Sequence, residues 1–277
     1  MTVGVIGLGL MGGSLALAIK ESGFAEEILG FDLNKNHQLD AVDLNIISRS
    51  VPLEDLIKAS DLIVLAVPVE AIVDLMPSLT SIKKTATIVD LGSTKTEIVD
   101  AIPMAIRSRF VAAHPMAGTE YSGPKAALAE LYRDRVVVLC NTEANDKDSL
   151  DLINNLFITI KSRIVTMDAK EHDRHAAFIS HMPHAISYAL ANSVLSQEDK
   201  QNILTLAAGG FRDMSRLAKS SGAMWIDIFK QNRKSLMESL NIFNGELKKV
   251  EEMIKDERWE ELKAWMSKAN TLHEIFN

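Results

Sequence analysis

The stretch VGVIGLGLMGGSLALAI, residues 3–19, constrains the fold more than any other. β-Branched residues lead into Gly7-x-Gly9-x-x-Gly12, and small and apolar residues follow at helical spacing. Such a pattern fits a buried strand, a tight turn and a helix packed back on that strand. Gly7 permits the turn, and Gly9 lets the backbone approach a pyrophosphate. Leu10 and Met11 open the helix, and Gly12 lets it lie close to the strand. The first N–H groups of the helix then face phosphate charge. Asp32 ends the next apolar run, ILGF, twenty residues past Gly12, where a carboxylate can hold a ribose 2′-hydroxyl. A carboxylate there repels a 2′-phosphate, so the pattern predicts NAD over NADP, with Lys35 as the nearby opposing charge. The alternative for Asp32 is a turn or helix-capping residue.

Further short β-branched runs follow at 61–67, 86–91, 109–113, 135–140 and 163–167, with helical patterns between most of them. Several are apolar throughout, as strands covered on both faces require. The fold class predicted is α/β: an N-terminal Rossmann-type, doubly wound, mostly parallel sheet over residues 1–167, followed by an all-helical C-terminal domain over 168–277. From Ala169 onward no run reads as a strand. In this fold ligands sit outside the carboxyl ends of the strands. Val67 and Pro68, the DLGSTK segment with Ser93, and AAHP with His114 should therefore line one crevice. Thr94 and Glu97 read as a capping box for the helix after Ser93.

Composition removes other classes. The 277 residues are 47% apolar and 24% charged, with a net charge of −7 that disfavours nucleic-acid and anionic-membrane partners. Cys140 has no partner for an internal disulfide and closes an apolar run, so it reads as a buried structural thiol in a reducing compartment. The uncharged first 19 residues lack a leading Lys or Arg and are broken by glycines, unlike a secretory signal. A cytoplasmic protein without membrane spans is expected.

In the helical half, FISHMPHAI carries His181 and His184, and Pro183 predicts a kink beside them. Four histidines occur at 172, 175, 181 and 184. At about 100° per residue, His172 and His175 should point away from the later pair, so no metal site is expected. Arg212 and Arg216 are four apart on one helix face, as carboxylate-gripping or surface-paired arginines would be. Trp259 and Trp265 read as core or dimer contacts.

AAHPMAGTE, SHMPHA, GGFRDMSRLA and MWIDIFKQN, in that order, resemble the prephenate/arogenate dehydrogenase family of tyrosine biosynthesis, over nearly the whole chain. The resemblance implies NAD-dependent oxidative decarboxylation of prephenate to 4-hydroxyphenylpyruvate by a homodimer joined through the helical domain. It implies that His114 accepts the ring hydroxyl's proton, that Ser93 bonds that hydroxyl and orients the histidine, and that Arg216 holds a substrate carboxylate. His184 would lie near the substrate side chain, with His181, Thr119, Glu120, Arg212 and Trp225 around the pocket. Arogenate dehydrogenase and a dual-specificity cyclohexadienyl dehydrogenase are the alternatives. A non-catalytic NAD sensor is the reading from another class.

Overall fold

The computed structural model describes residues 1–119 and 121–275. The chain divides into two compact units, Met1–Asn232 and Arg233–Asn277. The first unit holds strands β1 (Thr2–Ile6), β2 (Glu27–Phe31), β3 (Arg49–Ser50), β4 (Leu62–Leu65), β5 (Thr87–Asp90), β6 (Phe110–Pro115), β7 (Val136–Cys140) and β8 (Arg163–Met167). Among the described residues they form one eight-stranded sheet in the order β3-β2-β1-β4-β5-β6-β7-β8. Strands β1 to β6 run parallel; β7 is antiparallel to β6, and β8 is parallel to β7. The strand order reverses at β1, so β1 and β4 flank the switch point where this architecture binds ligands.

The continuous apolar runs arise because both sheet faces are buried. Val3, Val5, Val64, Val89 and Val111 pack into one apolar cluster. Their neighbours Ile6, Ile63, Leu65, Ile88 and Ala112 pack into another. Each fully buried branched aliphatic contributes about 1.5–3 kcal/mol. One strand, β3, was not expected. Its two polar residues carry no periodic signal, and pairing with β2 alone defines it. Cys140 is buried, and burial pushes its thiol up to about 12, as a structural thiol requires.

After β8 the described residues contain no strand. The helix Ala169–Ala176 passes through a five-residue π turn, Ala177–His181, into the helix Met182–Leu195. The irregularity expected at Pro183 takes this form. Pro183 sits in the first turn of the following helix, and the wide turn lies before it. Shorter helices follow at Lys200–Thr205, Gly209–Ser215 and Gly222–Gln231. In the second unit the helices Arg233–Lys255 and Trp259–Asn270 are joined by a hydrogen bond of 2.8 Å from Trp265 Nε1 to Glu246, while Trp259 is exposed. No described helix is long and apolar enough to cross a membrane.

Candidate active site

The glycine turn has the expected geometry. Gly7 has φ +95°, and its N–H donates to the Phe31 carbonyl of β2 at 2.8 Å. A Cβ on Gly12 would collide with the Gly7 carbonyl and with Ala66 of the chain leaving β4. A Cβ on Gly9 would meet open space. The helix Leu10–Ser22 starts at Gly9 without a side-chain cap, so the N–H groups at Leu10 and Met11 lie at an open helix end. These residues fit a dinucleotide: close backbone approach at Gly9, unpaired donors and no bulk. Val67 and Pro68 lie at the exit of β4, opposite Gly7. Asp32 Oδ2 accepts the Leu8 N–H at 2.8 Å, and Oδ1 accepts the Asn34 N–H at 2.8 Å. Asp32 thus ties the glycine loop to the end of β2 and forms a local turn, while Asn34 supplies the helix cap.

At the other strand ends, a wholly buried ion pair sets the position of His114. Lys95 Nζ contacts Asp90 and donates to the Ala113 carbonyl at 2.7 Å. Asp90 in turn accepts the N–H groups of Ala113 at 3.2 Å and Gly92 at 2.8 Å. The exit of β5, the Ser93 loop and the last residues of β6 are thereby clamped together. Ser93 is half-buried on this loop.

His114 Nδ1 lies 2.8 Å from His172 Nε2, with the rings edge to face. His172 Nδ1 lies 2.9 Å from Asp173 Oδ1. The Asp173 carboxylate also accepts the backbone N–H groups of Lys95 at 2.8 Å and Thr96 at 2.9 Å. Burial raises the Asp173 pKa, but hydrogen bonds from His172, Thr96 and Lys95 outweigh it and hold the carboxyl below its usual range. Burial, followed by electrostatic interaction with His172, Lys95 and His181, lowers the His114 pKa well below its ordinary value. His114 is a neutral imidazole at neutral pH, a state able to take a proton.

Two expectations are corrected here. The capping box of Thr94 and Glu97 does not form: the helix begins at Thr96, and Thr94 Oγ1 donates to Gln231 at 2.9 Å. Asp173, remote in sequence, accepts the first N–H groups instead. His172 also does not point away from the site. In a regular helix the nine residues to His181, at about 100° each, would place the two on opposite sides. The π turn winds more slowly and brings both towards His114. His175 is exposed.

A second cluster adjoins the first. Asn232 Nδ2 donates to the Asp173 carbonyl at 2.6 Å and lies 3.2 Å from His181 Nδ1. Burial lowers His181 to about 4. His181 meets Trp225 edge to face, and Trp225 stacks on His184 with ring centroids 3.5 Å apart. His184 Nδ1 donates to the Ser180 carbonyl at 2.9 Å. Burial depresses the His184 pKa, and the Arg216 charge depresses it further. Arg216 is held nearby because Tyr188 bonds the Ser220 carbonyl at 2.8 Å and Ser187 accepts the Ala218 N–H at 3.0 Å. The Trp225 indole N–H is buried without a partner among the described residues.

Arg212 and Thr119 are exposed, and Glu120 lies outside the described residues. Sequence reading gave no site role to His172, Asp173, Lys95 or Asn232, although Lys95 and Asn232 close the stretches DLGSTK and MWIDIFKQN. Tyr132 was missed too: it is buried and anchors the glycine-turn helix through the Met11 carbonyl at 2.7 Å.

Residues 15–166 match a family model described as prephenate dehydrogenase, nucleotide-binding domain, and residues 168–268 match prephenate dehydrogenase, dimerization domain. The chain belongs to the prephenate dehydrogenase family. A curated prephenate dehydrogenase from Bacillus subtilis is 33% identical over 267 residues, covering 94% of this chain and 72% of that protein. The crystal structure of prephenate dehydrogenase from Aquifex aeolicus in complex with hydroxyphenyl propionate and NAD+ is 31% identical, with a TM-score of 0.93 over 100% of this chain and 98% of that one. Synechocystis arogenate dehydrogenase is 26% identical, with a TM-score of 0.85 and full coverage of both chains. The prephenate dehydrogenase family thus includes this chain on sequence over both halves and on its three-dimensional fold.

Proposed function

We propose that this chain is a prephenate dehydrogenase that converts prephenate to 4-hydroxyphenylpyruvate with NAD+. The observation that carries the reading is His114 at the carboxyl end of β6, with its Nδ1 2.8 Å from His172; His184 stacks on Trp225, and the Arg216 charge acts on that histidine. NAD+, when bound, accepts the hydride. Gly7, Gly9 and Gly12 would give its pyrophosphate room, Leu10 and Met11 would offer it the helix N–H groups, Asp32 would hold the ribose, and Val67 and Pro68 would line the nicotinamide side. His114 Nε2 takes the proton of the ring hydroxyl, and Ser93 holds that hydroxyl. The hydroxyl-bearing carbon gives up its hydride and becomes a carbonyl. The bond to the ring carboxylate then breaks and CO2 leaves; its electron pair completes the aromatic ring, and the oxygen, now a phenolate, takes back the proton held on His114.

Arg216 and Arg212 receive the substrate carboxylates, and the unpartnered Trp225 N–H offers a donor in the same pocket. His184, His181 and Thr119 complete it, and Glu120 is added by the family resemblance alone. Each hydrogen bond to a charged group contributes about 1.5–3 kcal/mol. Residues 1–167 serve the cofactor and 168–277 serve the substrate and a homodimer contact, in an enzyme working in the cytoplasm.

Arogenate is the second reading, supported by the full-length likeness to the Synechocystis enzyme. The two substrates differ at the side chain, keto against ammonium, and the Arg216 charge beside His184 favours the keto acid. Initial rates of reduced cofactor formation with prephenate and with arogenate, each with NAD+ and with NADP+, test the assignment. Turnover of prephenate with NAD+ is expected. Turnover of arogenate alone would replace the substrate, and turnover of neither would refute the proposal.

A further inference from the structure

His114 has a buried partner whose role the proposed chemistry does not yet use. Asp173 accepts two backbone N–H groups as well as the contact to His172 Nδ1, and a carboxylate has no proton to give. His172 must therefore carry its proton on Nδ1. A neutral His172 then presents a bare Nε2 to His114 Nδ1, 2.8 Å away. That contact requires the His114 proton to sit on Nδ1, which leaves Nε2 bare. The side chains of His172 and Asp173 are nearly inaccessible, at 3% and 7% exposed, so water does not compete for these contacts.

From this geometry we infer that Asp173 and His172 are positioning residues that lock His114 in the tautomer with a bare Nε2 and steady the charge it gains on taking the proton. The inference rests on the reading of His114 as the base. It also explains a non-local feature of the fold. Asp173 is tethered to the first N–H groups of the Thr96–Ala101 helix, so the same carboxylate registers the Ser93 loop, the helical segment and the base. Without the relay, His114 would populate the opposite tautomer, in which Nε2 carries a proton and cannot accept one.

The first measurement is imidazole nitrogen NMR of the full-length wild-type protein with NAD+ bound. His114 should be protonated at Nδ1 and bare at Nε2; protonation of neutral His114 at Nε2 overturns the inference. The second is a pair of variants. His172→Phe keeps a flat ring but removes the acceptor, and should lower kcat about 10- to 100-fold, a part of the roughly 10²- to 10⁴-fold that a positioned base contributes. KM should change only a few-fold. His172→Gln restores a carbonyl acceptor and should recover most of the loss, which a merely structural role would not predict. Unchanged kcat in a folded His172→Phe enzyme overturns the inference. If that variant does not fold, the wild-type spectrum decides. His114→Ala separates the two claims. If it is inactive while His172→Phe is fully active, only the relay fails; if it is fully active, the base assignment fails as well.

Discussion

Lys95→Met should be the most damaging single substitution in the first unit outside its apolar core. The ammonium is fully buried against Asp90 and also donates to the Ala113 carbonyl at 2.7 Å. Replacing it leaves the Asp90 carboxylate inaccessible to water, with only the Gly92 and Ala113 N–H groups to solvate it. Removing one partner of a buried ion pair costs about 3–5 kcal/mol. For a unit of this size that corresponds to a fall in Tm of roughly 6–20 °C. Urea unfolding followed by tryptophan fluorescence would measure the loss, since Trp225 lies in the same unit. The double variant Asp90→Asn/Lys95→Met removes the stranded charge, and its amide oxygen keeps an acceptor for one of the two N–H groups. It should lose clearly less than the sum of the two single variants. A Lys95→Met loss under about 1 kcal/mol, or full additivity in the double variant, would refute the reasoning.

Other predictions address the chemistry and the titrating groups. His114→Ala should lower kcat by about 10²- to 10⁴-fold with little change in KM, measured by steady-state kinetics. Arg216→Ala should chiefly raise the KM for prephenate, by roughly 10- to 100-fold if one charged hydrogen bond is lost. Gly12→Ala forces a methyl group into the Gly7 carbonyl, so cofactor affinity measured by fluorescence titration should fall sharply. His181 has a folded pKa of about 4 against 6.5 in the free side chain, because of burial. The unfolded chain therefore binds the proton first. Stability is complete above about pH 6.5 and declines between about 6.5 and 4, by about 2 kcal/mol at pH 5. Subtracting the unfolding free energies of a His181→Phe variant across that window should isolate this contribution, and a flat difference would contradict it.

What was legible in the sequence was what short-range sterics and periodicity dictate. The glycine turn needs positive φ at Gly7 and no Cβ at Gly12, demands that residues 7 to 12 state by themselves. The short β-branched and apolar runs announce seven of the eight strands, of which β8 is largely exposed rather than buried on both faces. Strand β3 is not announced, because two polar residues become a strand only when β2 offers its edge. His114 could be read at a strand end because Phe110–Ala113 lead directly into it.

Tertiary structure decided the surroundings of that histidine. The Thr96–Ala101 helix is capped not by Thr94 and Glu97 nearby but by Asp173, whose carboxylate arrives only when the helical segment packs on the sheet. His172 and His181 would diverge on a regular helix, yet the π turn between them brings both to His114. Pro183 announces an irregularity there, but not that it takes the form of a wider turn. The sequence by itself therefore determined the glycine turn, the strands and the place of His114. The hydrogen-bond partner of His114 was decided by packing between segments 58 residues apart, because a buried imidazole takes its tautomer from whichever acceptor the fold brings to it.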